Sequence, residues 1–403
     1  MHLKEFCGSW MEHPFWRTSF VLTDPKDIQA ILASSIKEVW IDSSKGLDVA
    51  LGEHVVLEAE TEAQVDADLK ITAKKKPELS PVPATVEFER ASKICAQSKR
   101  AVFSMFHEAR MGNAVNTEGA QELIEEISNS LSRNPGALIS LARLKTADDY
   151  TYMHSVAVSA LMLSLSKQLG LDEAQTRSAG IAGLLHDLGK AFTPLEVLNK
   201  PGNLTPEEFD IVKKHPEEGY KLLLNSTGAD KVALDVVLNH HEKTDGSGYP
   251  KHHKDKGISL FAKMAAVCDV YDAITSNRPY KSGWDPAESL RKMAEWTTGH
   301  FDPRIFQAFV KSIGIYPIGS LVKLNSGRLA LVIEQSAKSL LSPHVKVFFS
   351  TRGNTRIYPE IVDLSRTYCP EKIVSREDPE KWGFADLNEI WSGKVGYELA
   401  EKK

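Results

Sequence analysis

The sequence predicts a mainly α protein: an all-helical domain over residues 136–314, flanked by a small N-terminal α+β domain and a small C-terminal β-rich unit. Three observations predict it. From Gly136 to about residue 314, apolar residues recur at helical spacing between clear caps and breaks. At either end, short runs rich in β-branched and aromatic residues replace that pattern. Between the first domain and the helices, a block of acids, then lysines, then prolines interrupts both.

In chain order, Phe15–Leu22 reads as a strand, Asp24-Pro25 as a helix start with proline in the first turn, and Glu38–Asp42 as a second strand. Residues 1–50 therefore form a small α+β domain, with Trp10, Trp16 and Trp40 in its core or at an interface. Residues 51–86 hold Glu58, Glu60, Glu62, Asp66 and Asp68, then Lys74-Lys75-Lys76, then Pro77, Pro81 and Pro83, and read as a flexible linker. Residues 87–135 form a helical connector of two helices. In the first, Phe88, Cys95, Val102, Phe103 and Phe106 face inward; in the second, Leu123, Ile124, Ile127 and Leu131 do, and Asn134-Pro135-Gly136 ends it. Neither helix carries a catalytic cluster.

Within the helical domain, Asp172, Thr205-Pro206-Glu207-Glu208, Asp285-Pro286 and Asp302-Pro303 supply helix starts. Beyond it, Leu321–Leu324, Leu329–Ile333 and His344–Phe349 read as three strands, with turns at Asn325-Ser326-Gly327 and Thr351–Asn354. Residues 315–403 are thus a small β-rich unit packed on the helices, its tail anchored by Trp382 and Trp391.

Composition excludes several function classes. A net charge of -5 gives no global attraction to DNA, RNA or anionic lipid. Cys7, Cys95, Cys268 and Cys369 form no C-x-x-C pair, which argues against a zinc ribbon or a disulfide framework and fits a cytoplasmic location. The start has no secretory pattern. No run approaches the ~18 apolar residues of a membrane span.

The chemistry concentrates in the helical domain. His154 lies within a helix, His186-Asp187 end the next, and His215 stands at a helix junction before Pro216. His240-His241 close a helix, and Asp269 sits in an otherwise apolar one. A lone histidine on an apolar face is more often a satisfied core residue. Seven such groups in one domain point instead to metal, because charged aspartate is rarely buried unless paired or metal-bound. Imidazole and carboxylate without thiolate suit iron, manganese or zinc. Seven ligands exceed the need of one tetrahedral ion, so two metals fit better, with Asp187 bridging. Two such ions can activate a shared water and clamp phosphoryl oxygens. Lys190, Arg278 and Lys281 add cations, which points to a phosphorylated, anionic substrate. The turn at Asp245-Gly246-Ser247-Gly248-Tyr249-Pro250 follows the ligand pair directly, and Tyr249 could stack on a base.

His186-Asp187-Leu188-Gly189-Lys190, His215-Pro216 with Gly219, His240-His241-Glu242, Gly248-Tyr249-Pro250, Asp269–Ala273 and Arg278-Pro279-Tyr280 together resemble the HD-GYP phosphodiesterase domain from His154 to about Phe309. Residues 10–49 resemble the small domain that often precedes it in bacteria, with the usual first strand falling before Met1. The resemblance implies an HD-type metal-dependent phosphohydrolase fold around two divalent ions, iron or manganese. It also implies hydrolysis of cyclic di-GMP to pGpG, and on toward GMP, by a metal-bridged hydroxide. Its metal ligands would be His154, His186, Asp187, His215, His240, His241 and Asp269. Asp187 and Lys190 would act in catalysis, and Lys190, Tyr249, Asp272, Arg278 and Lys281 would contact substrate.

Three-metal members of the family carry a glutamate one turn before the first histidine; here Tyr150 stands there, so two metals are expected. Alternatives are a preference for 3′,3′-cyclic GMP-AMP and a silent receptor, although degenerate relatives lose ligands and none of the seven is missing. A phosphohydrolase acting on nucleoside phosphates leaves the Tyr249-Pro250 turn unexplained. No phospho-acceptor receiver pattern precedes the helical domain. A homodimer or a signalling-protein partner stays open.

Overall fold

The computed structural model describes residues 1–7, 19–34, 38–47, 79–113, 118–145, 150–226, 230–276, 283–336 and 338–393. Its contacts divide the chain into two compact units, Met1–Glu78 and Leu79–Lys403. Most of the expected linker, together with Trp10, Trp16, Arg278 and Lys281, lies outside the described residues.

In the first unit, β1 (His2–Cys7) is the central strand of an antiparallel sheet, between β2 (Phe20–Val21) and β3 (Glu38–Ile41). Leu3 at its heart is fully buried. The Pro25–Leu32 helix starts as read: Asp24 accepts from the Lys26 amide at 2.9 Å.

The second unit begins with the Ala84–Arg110 helix, so the last residues assigned to the linker form its first turn. Its Glu87, fully buried, accepts from Ser130 and from both Nε and Nη2 of Arg133 on the Glu118–Arg133 helix. A buried acid in this position requires such a fork, and the fork fixes how the two helices lie. Phe88, Cys95, Val102 and Phe106 are buried as expected, but Phe103 is 52% exposed. It follows Val102 directly, and consecutive helical residues point about 100° apart.

Asn134 turns the chain by accepting from the amides of Gly136 and Ala137. The helices that carry the site follow: Tyr150–Gln168, Glu173–Leu185, His215–Leu224, Lys231–Asn239 and Leu260–Thr275. Tyr150–Gln168 is buried almost all round, from Met153 to Ser166, which marks it as the central helix of the domain. Capping boxes at Asp172/Gln175 and Thr205/Glu208 start their helices as the sequence predicts.

The C-terminal region is a five-stranded antiparallel sheet of order β7-β6-β5-β4-β8. β4 (Leu321–Leu324), β5 (Arg328–Glu334) and β6 (His344–Ser350) were expected; β7 (Thr355–Asp363) and β8 (Ile373–Arg376) were not. Both are edge strands. β7 is largely exposed and contains Pro359, which weakens the sequence signal for a strand. Trp391 packs edge-on against Phe88, ring centroids 5.6 Å apart, and so ties the tail to the first long helix.

Candidate metal centre

All seven predicted ligands converge. One ring nitrogen or carboxylate oxygen each from Asp187, His215, His240 and His241 lies within 4.8 Å of the others, and the same holds for His154, His186 and Asp269. Asp187 stands between the two groups. Its Oδ1 is 3.3 Å from His215 Nε2, while its Oδ2 is 3.4 Å from His186 Nε2 and 3.5 Å from His154 Nε2. Asp269 also reaches both ways, with Oδ1 3.0 Å from His154 Nε2 and Oδ2 3.8 Å from His241 Nδ1.

The backbone fixes how the imidazoles face. His186 Nδ1 donates to the Gly183 carbonyl at 2.8 Å, and His215 Nδ1 to Val212 at 2.7 Å. His240 Nδ1 donates to Val236 at 3.0 Å. Each of these acceptors lies on the turn before its histidine, so helix ends aim the rings. His154 Nδ1 donates instead to Asp272 Oδ2 at 2.6 Å. With the proton on Nδ1, every Nε2 presents a lone pair inward.

That arrangement fits a bound cation. His215 Nε2 and His240 Nε2 are only 3.2 Å apart, two lone pairs pointed at each other. Among the described residues, His186 Nε2 and Asp187 Oδ1 are buried with no hydrogen-bond partner. Such orphaned atoms are costly unless a ligand satisfies them. An N/O donor set of this kind fits hard or borderline divalent metals.

Electrostatics favour the ligand forms of three of the histidines and of both aspartates. Burial pushes the pKa of His215, His240 and His241 down, His241 to about 3. Burial acts the same way on His154, but Asp269 and Asp272 outweigh it and raise its pKa. Burial opposes charge on Asp187 and Asp269 as well. Lys190 and His186 beside the first, and His154 beside the second, hold both carboxyls well below the usual range.

Two glycines let the elements meet. A Cβ on Gly189 would lie 1.9 Å from the His215 carbonyl oxygen and 2.5 Å from the Gly219 amide. The Leu188–Phe192 turn therefore crosses the His215–Leu224 helix backbone to backbone, which brings Asp187 beside His215. Gly248 likewise folds against the backbone of His241, Glu242 and Lys243. Glu242, buried, holds that loop by accepting from the amides of Lys251 and His253, a role that nothing in the sequence pattern assigns.

Residues 125–305 match the family described as HD domain, and residues 1–120 match a domain of unknown function, DUF3391. The chain is 50% identical over 394 residues to cyclic di-GMP phosphodiesterase PA4108 of Pseudomonas aeruginosa, covering 98% of this chain and 93% of the relative. This chain belongs to the HD-GYP phosphodiesterase family. Other relatives match over shorter spans. Cyclic di-GMP phosphodiesterase response regulator RpfG of Xanthomonas campestris is 37% identical over 193 residues, 47% of this chain and 51% of that one. The 3′3′-cGAMP-specific phosphodiesterase 1 of Vibrio cholerae is 34% identical over 164 residues, 40% and 38% respectively.

A cavity of about 1050 Å³ opens onto His154, Asp187, His241 and Asp269. Lys190 lines it and donates to Asp187 Oδ2 at 2.5 Å. Two of the expected HD-GYP substrate contacts sit elsewhere. Tyr249 does not line this cavity; its ring stacks on His241, centroids 4.7 Å apart, so it meets the centre through that ligand. Burial, reinforced by Asp269 and Asp187, keeps its phenol protonated. Asp272, the other, faces His154 Nδ1 and the buried Lys145 ammonium, and Ser276 donates to its other oxygen. It holds His154 through Nδ1. Asp269 and Asp272 lie one turn apart, but only the first faces the cavity.

Tyr150 stacks parallel on His154, centroids 5.7 Å apart and planes 7° apart, and Lys145 approaches its ring face at 5.3 Å. Sequence reasoning also missed Phe106 and Arg110, which reach the cavity from the Ala84–Arg110 helix, and Trp284 and Phe209 in its wall.

Proposed function

We propose that this chain is a metal-dependent phosphodiesterase that opens cyclic di-GMP to pGpG. Two divalent ions, iron or manganese, would be held by His154, His186, Asp187, His215, His240, His241 and Asp269. The observation that carries this reading is the pair of ligand groups sharing Asp187, with inward atoms that have no partner among the described residues. When bound, two such ions supply Lewis-acid chemistry: neutralised charge at phosphoryl oxygens and a lowered pKa for water.

The chain's own residues do the rest. Hydrogen bonds from Nδ1 hold four imidazoles in register and in the ligand tautomer. Lys190 sets a cation beside Asp187 at the cavity wall, where a phosphate would enter. The cavity exceeds the ~300–1,000 Å³ usual for small-ligand sites, which suits a dinucleotide. Tyr150 puts an uncharged ring against His154 where a third metal would need a carboxylate, which supports two ions and argues against efficient hydrolysis onward to GMP. The likeness to PA4108 across nearly the whole chain supports cyclic di-GMP as substrate. The cGAMP-specific relative makes 3′,3′-cyclic GMP-AMP the comparison to run beside it.

Replacing His186 and Asp187 by alanine is expected to abolish hydrolysis of either nucleotide and to strip the metals, while helix content by circular dichroism stays near wild type. Hydrolysis surviving in that variant would remove the metal centre from the reaction.

A further inference from the structure

The long Ala84–Arg110 helix lies outside every motif of the catalytic domain, yet it ends at the substrate cavity. Among the described residues, three cations line that cavity: Arg110, Lys190 and Lys200. Lys190 is paired with Asp187, and Lys200 is held by both oxygens of Glu208 at 2.8 and 2.6 Å. Arg110 is different. Its Nε donates to the carbonyl of Ala191, next to Lys190, at 3.1 Å, and no carboxylate pairs with it among the described residues. One bond to backbone orients the guanidinium plane and leaves both Nη groups available. The base beneath is rigid: Phe106, one turn back, is buried against Tyr152, centroids 5.5 Å apart, and the helix is locked at its other end by the Glu87–Arg133 fork.

We infer that Arg110 is a substrate-binding residue, a preset guanidinium fork that takes a phosphate of the cyclic dinucleotide at the cavity wall, next to the Lys190–Ala191 segment. This rests on reading the cavity as the substrate site. A guanidinium binds phosphate through two parallel N–H bonds, and charge-assisted bonds of this kind are the strong ones. An exposed cation tethered by one backbone bond is also well suited to a ligand that arrives and leaves. The alternative role is structural, a tie between the helix end and the Ala191 carbonyl. A tie would affect stability and metal content; a substrate contact would affect KM.

The test compares wild type with R110A and R110K, all manganese-loaded, in steady-state hydrolysis of cyclic di-GMP and in equilibrium binding of pGpG. R110A is expected to raise KM and to weaken pGpG binding by about tenfold or more, with kcat changed far less and metal content and melting temperature unchanged. R110K, with charge but no fork, should recover only part of the loss. Equal KM and equal pGpG affinity in wild type and R110A would overturn the assignment. So would a loss explained by lower metal content or stability. If wild type binds pGpG in an Arg110-dependent way but turns over no cyclic di-GMP, the hydrolase reading fails and the Arg110 contact stands.

Discussion

Asp272 orients His154, a candidate metal ligand. Its Oδ2 takes the Nδ1 proton of His154 while the Lys145 ammonium, with no exposed side-chain surface, neutralises the same carboxylate. Removing Asp272 outright would take both carboxylate oxygens from between His154 and the buried Lys145, so D272N is the informative change. It keeps an acceptor oxygen but loses the charge that serves His154 and Lys145 together. Metal affinity, read by chelator competition, is expected to fall about tenfold or more with the fold intact; unchanged affinity would count against the role. At this scale the convergence of the seven candidate ligands was legible because five histidines and two aspartates on apolar helix faces seldom occur together except around metal. The contact of Asp272 with Lys145 was not legible, because Lys145 comes from another segment of the chain. Arg110 went unseen because its place at the cavity depends on how a distant helix packs.

Between elements, the decisive contact is the glycine crossing. G189A would drive a Cβ into backbone on the His215–Leu224 helix, where no side chain can yield. The helix must shift, and His215 with it. Destabilisation on the order of 1–3 kcal/mol is expected, with loss of bound metal. G119A, at a helical position with nothing within 4 Å, should be neutral or slightly stabilising in the same thermal melt. A G189A protein with wild-type melting and metal content would contradict the crossing. Helix starts were legible here because Asp or Thr caps followed by proline leave the chain few choices. β1, β7 and β8 were less so. β8 is only four residues long and β7 is a solvated edge. β1 takes its meaning from β2 and β3, its partners later in the chain.

At the scale of the molecule, composition suggested more divisions than the contacts keep. Prolines and charge runs mark boundaries in sequence, but Phe88, the catalytic helices, Phe348 and Trp391 share one continuous core from Leu79 onward. Asn134 bonding to Glu334 and Trp391 packing on Phe88 join segments that no local pattern relates. Among the described residues, no helix is long and apolar enough to cross a membrane. What this unit brings together is seven candidate ligands and a cavity that opens onto four of them, with cations on its walls. The measurement that bears on that assembly most directly is product analysis of cyclic di-GMP incubated with manganese-loaded protein of known metal content. Conversion to pGpG by chains carrying two ions each is the expected result. Intact cyclic di-GMP after incubation with fully metal-loaded protein would contradict it.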